Sequence, residues 1–254
     1  MNAIEMTSVV FELCAESLRG CIAALEGGAH RIELCSALSE GGLTPSHALI
    51  EAAVLQSGLP VHVLLRPRAG DFVYSDHEFA LMQSDLQHAR TLGASGFVAG
   101  IVDSKGRIDE RRMRQLVQLA GDLEVTFHRA FDMLVDLDEA LEQIIATGCR
   151  RLLTSGGTVD VQAGADRLRS LRERAADRIV IAAGGGLRAS NAAYVAATSG
   201  LNHFHGSVRH PLHGNMISRF FSAEMQVSAE DVRAMIAELS CGRCADGLRM
   251  PDSR

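Results

Sequence analysis

Tryptophan is absent from this 254-residue chain, tyrosine occurs twice, and aromatic residues make up 4% of it. So few rings leave little material for base-stacking platforms. Positive charge is short as well. Twenty-five Lys and Arg face 31 Asp and Glu, the net charge is -6, and no basic block occurs. The electrostatic footprint of a nucleic-acid binder is missing, so no nucleic-acid partner is expected. No apolar run approaches the roughly 18 residues that a membrane span takes, which argues against a membrane partner. Met1-Asn2-Ala3-Ile4-Glu5-Met6 has neither the basic start nor the long apolar stretch of a secretion signal. A soluble, cytoplasmic protein is expected. Its six cysteines, Cys14, Cys21, Cys35, Cys149, Cys241 and Cys244, would then be thiols and not a disulfide framework.

Hydrophobic residues make up 47% of the chain against 22% charged, enough apolar side chain for a large core. Short runs rich in β-branched residues alternate with amphipathic stretches throughout. The predicted strands are Val9–Cys14, His30–Cys35, Val61–Arg66, Gly96–Ile101, Glu124–His128, Arg151–Thr154, Arg178–Ala183 and His203–Gly206. Helical stretches between them include Ser17–Glu26, Asp76–Leu92, Asp109–Ala120, Asp136–Thr147 and Ala189–Thr198, with Asp76, Asp109 and Asp136 at N-cap or first-turn positions. Glycine closes every second helix, at Gly28, Gly93, Gly148 and Gly200, where a left-handed C′ residue is needed. Eight strand–helix units in about 250 residues predict an α/β fold, a single (β/α)8 TIM barrel. A doubly wound open sheet is the competitor, but no G-x-G-x-x-G follows the first strand and no Walker-type lysine motif occurs. No linker or low-complexity tract divides the chain before about residue 210. One domain over 1–254 is expected, with its core at about 9–240 and a polar C-terminal tail at 241–254.

In such a barrel the chemistry sits at the C-terminal strand ends. Alternation puts Glu12 with Cys14, and Glu33 with Cys35, on the inward face, while Phe11, Leu13, Ile32 and Leu34 face the helices. Glu12, Glu33, Arg66 and His128 are thus expected at the barrel mouth, with Arg66 and Arg68 as partners for the carboxylates. Three chemistries fit these strand ends. Glu33 or His128 is a candidate acid–base residue titrating near neutrality. Arg66, Arg68 and Arg129, with the loops at Gly156-Gly157, Gly185-Gly186 and Gly206-Ser207, form a candidate anion cradle to which Arg188 or Arg209 adds charge. Cys14 and Cys35 end neighbouring strands and could bind one soft ion such as Cu(I), assisted by His128 or His205. Each has a plainer alternative: an internal Glu–Arg network, glycines serving tight turns, and cysteines packed as small hydrophobes. Cys241-Gly-Arg-Cys244 reads as two tail thiols with no shared task, His210 and His213 fall in a run that could suggest metal, and alternation in the eighth strand makes His203 and His205 two inward residues at different depths.

The same strand ends carry a family resemblance. Arg31-Ile-Glu-Leu-Cys35, Glu40-Gly-Gly-Leu-Thr-Pro-Ser46, Arg66-Pro-Arg68, Gly70-Asp-Phe72 and Tyr74-Ser75 resemble the CutC family. Val125-Thr-Phe-His-Arg-Ala-Phe-Asp132, Leu153-Thr-Ser-Gly-Gly157, Gly184-Gly-Gly186 and Phe204-His-Gly-Ser207 continue the match, which runs from about Phe11 to Arg209. The resemblance implies a cytoplasmic TIM barrel, homo-oligomeric as a dimer or tetramer, that participates in copper homeostasis. It also implies copper as the bound metal, with Cys14 and Cys35 at the matching positions. The alternative is an enzyme acting on an anionic or phosphorylated small metabolite at the rim of the barrel.

Overall fold

Alternation along the strands decides which side chains enter the barrel. In β1 (Val10–Ala15), Phe11 and Leu13 are completely buried on the helix side, while Glu12 and Cys14 turn to the other face. In β2 (Arg31–Leu34), Ile32 and Leu34 do the same, leaving Arg31 and Glu33 inward. The remaining strands are β3 (Val61–Leu64), β4 (Gly96–Ala99), β5 (Glu124–Phe127), β6 (Arg151–Thr154), β7 (Val180–Gly184) and β8 (His203–Gly206). In this computed structural model, which describes residues 8–211 and 225–246, β1 to β8 pair in parallel and in sequence order. β8 pairs back onto β1, with Glu12 opposite His205, and closes the ring. The predicted (β/α)8 barrel is therefore the fold.

Helices α1 (Leu18–Gly27), α2 (His47–Gln56), α3 (Asp76–Thr91), α4 (Glu110–Ala120), α5 (Leu137–Thr147), α6 (Ala165–Ala175), α7 (Ala189–Ser199) and α8 (Ala229–Asp246) surround it. Their ends follow local chemistry. Ser17, Ser46, Ser75, Asp109 and Asp136 accept N-cap hydrogen bonds, and Ser75 completes a capping box with Glu78. Asp76 falls in the first turn of α3 and is not its cap. Gly28, Gly148 and Gly200 end α1, α5 and α7 in the left-handed conformation that the sequence anticipates. The C-terminal region differs from expectation. α8 runs through Cys241 as far as Asp246, so helix occupies the start of the stretch read as a polar tail. The side chain of Cys244, His213 and residues 247–254 lie outside what is described.

The main apolar core lies between strands and helices, with Phe11, Phe97, Phe127, Phe131 and Phe204 all fully buried. The barrel interior is different. Its upper part is a small apolar cluster of Cys14, Cys35, Leu64 and Val98. Beneath this lie Glu12, Arg31, His62, Glu124, Arg151 and His203, joined by ion pairs and hydrogen bonds. Rings of that size need space, and β4 supplies it by carrying no side chain at Gly96. A Cβ there would stand 2.2 Å from His62 Nδ1 and 2.7 Å from the Glu124 carbonyl oxygen. Gly96→Ala is expected to lower unfolding stability by about 1–3 kcal/mol or more through overpacking. Urea denaturation measures this, and an unchanged midpoint would contradict the packing described.

Candidate functional site

Glu12 lies inside the barrel with 1% of its surface exposed, and it requires compensation from every side. Arg31 Nε is 2.5 Å from its Oε2, and Arg151 NH2 is 3.5 Å from its Oε1. His205 Nδ1 stands 2.8 Å from Oε1. Burial would raise its pKa, but Arg151, the His205 hydrogen bond and Arg31 together hold the carboxyl well below the usual range. Glu12 is therefore an anion at neutral pH. Burial works against protonation of His205, yet Glu33, the Cys14 contact and Glu12 raise its pKa well above that of a free imidazole. Glu12 and His205 form an ion pair from β1 and β8.

Above this pair lies a compact donor cluster. Cys14 Sγ is 3.8 Å from Cys35 Sγ and 3.6 Å from Glu33 Oε1. Glu33 Oε2 is 3.9 Å from His205 Nδ1 and is buried without a hydrogen-bond partner. Ligand atoms of Cys14, Glu33 and His205 all lie within 4.8 Å of one another. The hydrogen bond with Cys35 and then burial raise the Cys14 thiol well above its ordinary pKa. Burial raises Glu33, with Glu12 adding to it against the opposing pull of His205. Cys14 and His205 form the floor of a cavity of about 710 Å³, whose walls include Arg129, Gly185–Ala189 and Gly206–His210.

The structure thus brings together Cys14, Cys35, Glu33, Arg129, Gly185, Gly186, Gly206 and Ser207 from the expected set. It places the others elsewhere. Arg66 pairs with no carboxylate among the described residues; its guanidinium donates to the carbonyls of Glu40, Gly42 and Gly70 and so fastens the loops after β2 and β3. Arg68 binds Glu78 and Asp71. The amide of Gly157 and that of Ser155 donate to Asp132, and the amide of Gly156 donates to Thr154 Oγ1, so the β6 loop is occupied by the chain's own acceptors. His128 is not a neutral-range titrator. Burial, with the Arg66 charge beside it, pulls its pKa down to about 3, and its Nδ1 accepts from the Ala130 amide. No contact links it to Glu33 among the described residues. His205, which the sequence offered only as an assistant to the thiols, is the histidine at the site. The signal for it was the inward parity it shares with His203 on β8. Arg151 had a similar signal, as an arginine at an inward position of β6.

The fold and this floor define a (β/α)8 barrel with a thiol, imidazole and carboxyl cluster at its C-terminal mouth. Comparison with known proteins extends that description. The CutC family model matches residues 9–210. A CutC family protein of Chromobacterium violaceum is 47% identical over 200 residues, 79% of this chain and 81% of the relative. One from Bacteroides fragilis is 45% identical over 212 residues, 83% and 84% of the respective chains. A crystal structure from Streptococcus agalactiae, of a CutC named as a candidate copper homeostasis protein, superposes with a TM-score of 0.74 at 33% identity. It covers 78% of this chain and 98% of that one. The chain belongs to the CutC family.

Because His128 has a folded-state pKa below its unfolded value, protonation favours the unfolded chain. Its contribution to stability is present above the unfolded pKa and is lost as pH falls towards about 3. The His128 ring is therefore expected to stay neutral from about pH 8 to about pH 5. Nitrogen chemical shifts of the ring check this, and a midpoint near the free-imidazole value would contradict it.

Proposed function

We propose that the chain binds a single Cu(I) ion at the floor of its barrel mouth and takes part in copper homeostasis. Cys14 and Cys35 supply the thiolates and His205 the imidazole. The observation that carries this reading is the 3.8 Å approach of the two sulfurs beside His205 and Glu33. Soft thiolates select Cu(I), and two sulfurs at this spacing on adjacent strands can turn towards one ion with little movement of the backbone. With Nδ1 of His205 directed to Glu12, its Nε2 is the nitrogen left for a metal. A carboxylate orienting a ligand histidine in this way fixes the ring and raises its basicity. The unpartnered oxygen of Glu33 gives the cluster an acceptor for a displaced proton.

The cytoplasm suits this chemistry, since it keeps both thiols reduced. No helix among the described residues is long and apolar enough to cross a membrane. The proposed assembly is a homo-oligomer, a dimer or tetramer, for which the exposed Met133, Val135 and Val159 on neighbouring loops offer apolar contact surface. Sedimentation of the purified chain measures it, and a monomer at all concentrations would rule it out.

Cu(I) titration against a competing chelator tests the central reading. Wild type is expected to take up one ion per chain, and Cys14→Ala/Cys35→Ala none at this site. Unchanged stoichiometry in the double variant would overturn the assignment. Cys14 and His205 both have raised pKa values, so a metal must displace protons from each. Apparent affinity is therefore expected to climb from about pH 6 to about pH 8. A flat profile would contradict thiol and imidazole ligation.

A further inference from the structure

The glycine loops after β6, β7 and β8 look alike in sequence but differ in what occupies them. After β6, the Ser155 and Gly157 amides and the Thr154 and Ser155 hydroxyls all converge on the Asp132 carboxylate. That loop is a built oxyanion hole, filled from within by a residue of the β5 loop. After β7 and β8 the same kind of donors are present and no carboxylate among the described residues accepts from them; Asp160, which packs against Gly186, is engaged by the Gln162 and Ala163 amides. The amides of Gly186, Leu187 and Ser207, and the Ser207 hydroxyl, have no hydrogen-bond partner among the described residues. All of them line the 710 Å³ cavity.

The charge around these donors has one sign to spare. The Arg129 guanidinium lies flat against Gly185, whose φ is +103° and whose Cβ, if it had one, would be 2.6 Å from Arg129 Cζ. Arg129 itself is paired with Asp132, and Arg209 with Glu16. Arg188 has no carboxylate partner among the described residues; its NH1 reaches only the Gly186 carbonyl, at 3.2 Å. Asp231 is the one carboxylate among the described lining residues, and it is engaged by Ser228 and lies 3.2 Å from His210. Backbone amides at a helix N-terminus, a hydroxyl and an uncompensated guanidinium suit a multiply charged oxyanion. The cavity is of the size that holds a small organic molecule, well beyond an inorganic anion alone.

We propose that this cavity binds a phosphate monoester of a small metabolite. Its phosphate sits on the β7 and β8 loop donors under Arg188, and its organic part fills the space towards Cys14 and His205. This inference goes beyond the copper reading and does not depend on it, because none of the phosphate donors is a metal ligand.

Calorimetric titration of the metal-free chain with glycerol 3-phosphate, and separately with inorganic phosphate, tests the proposal. Wild type is expected to bind the monoester more tightly than inorganic phosphate. Arg188→Glu is expected to weaken monoester binding about tenfold or more, the cost of losing one charge-assisted contact. Arg188→Gln, which keeps the size and polarity at the start of α7, serves if the glutamate variant fails to fold, and a clear loss is expected there also. No monoester binding to wild type, or equal affinity in wild type and the folded variants, would overturn the proposal. Tighter binding of inorganic phosphate than of the monoester would overturn the organic part of it. Cu(I) uptake by the Arg188 variants is expected to match wild type, so failure of either site is scored separately.

Discussion

A carboxylate that cannot leave the barrel interior organises this molecule. Glu12 is anionic in a place where an isolated charge would cost several kcal/mol. It is held there by Arg31 on β2, Arg151 on β6 and His205 on β8. Arg31 lies directly opposite Glu12 on the next strand, whereas Arg151 and His205 are distant in the chain and reach it only because the ring closes with β8 returning to β1. The same interaction orients His205 and so aims its second nitrogen. The cysteines owe their setting to the layer above: Cys14 rises two residues beyond Glu12 on the same face, and Cys35 two beyond Glu33. Core electrostatics and site geometry are therefore one arrangement.

The rim divides into a structural side and an open side. Over β3 to β5, Arg66 is spent on loop carbonyls, Arg68 on Glu78 and Asp71, and His128 packs as a neutral ring 4.7 Å from Phe72. Over β7, β8 and β1, the side chains and amides leave space, and the cavity opens there. Asp132 marks the border between them, since it closes the β6 loop on itself. The proposed metal site and the proposed phosphate site both fall on the open side of that division.

Much of this arrangement is legible in the sequence. Period-two alternation gave the inward identity of Glu12, Cys14, Glu33 and Cys35, and the repeated glycine after every second helix gave the spacing of the units. The pairing of the charges was not legible. Glu12 and His205 are 193 residues apart, and alternation says which face a side chain takes without saying which strand lies opposite. Arg66 and Arg68 sit at a strand end like active-site arginines, but sequence does not distinguish a guanidinium that meets carboxylates from one that meets loop carbonyls. His128 differs for a related reason: burial beside Arg66 removes its ability to titrate near neutrality. The glycine loops were found as a group, and only the position of Asp132 separates the filled one from the open ones.

X-ray absorption spectroscopy of the Cu(I)-loaded chain addresses the central claim most directly. Sulfur scattering accompanied by a single imidazole, with the imidazole component lost in His205→Ala, is the spectrum this arrangement requires. A copper shell made only of nitrogen and oxygen, or one unaltered by the loss of His205, would show that the metal binds elsewhere.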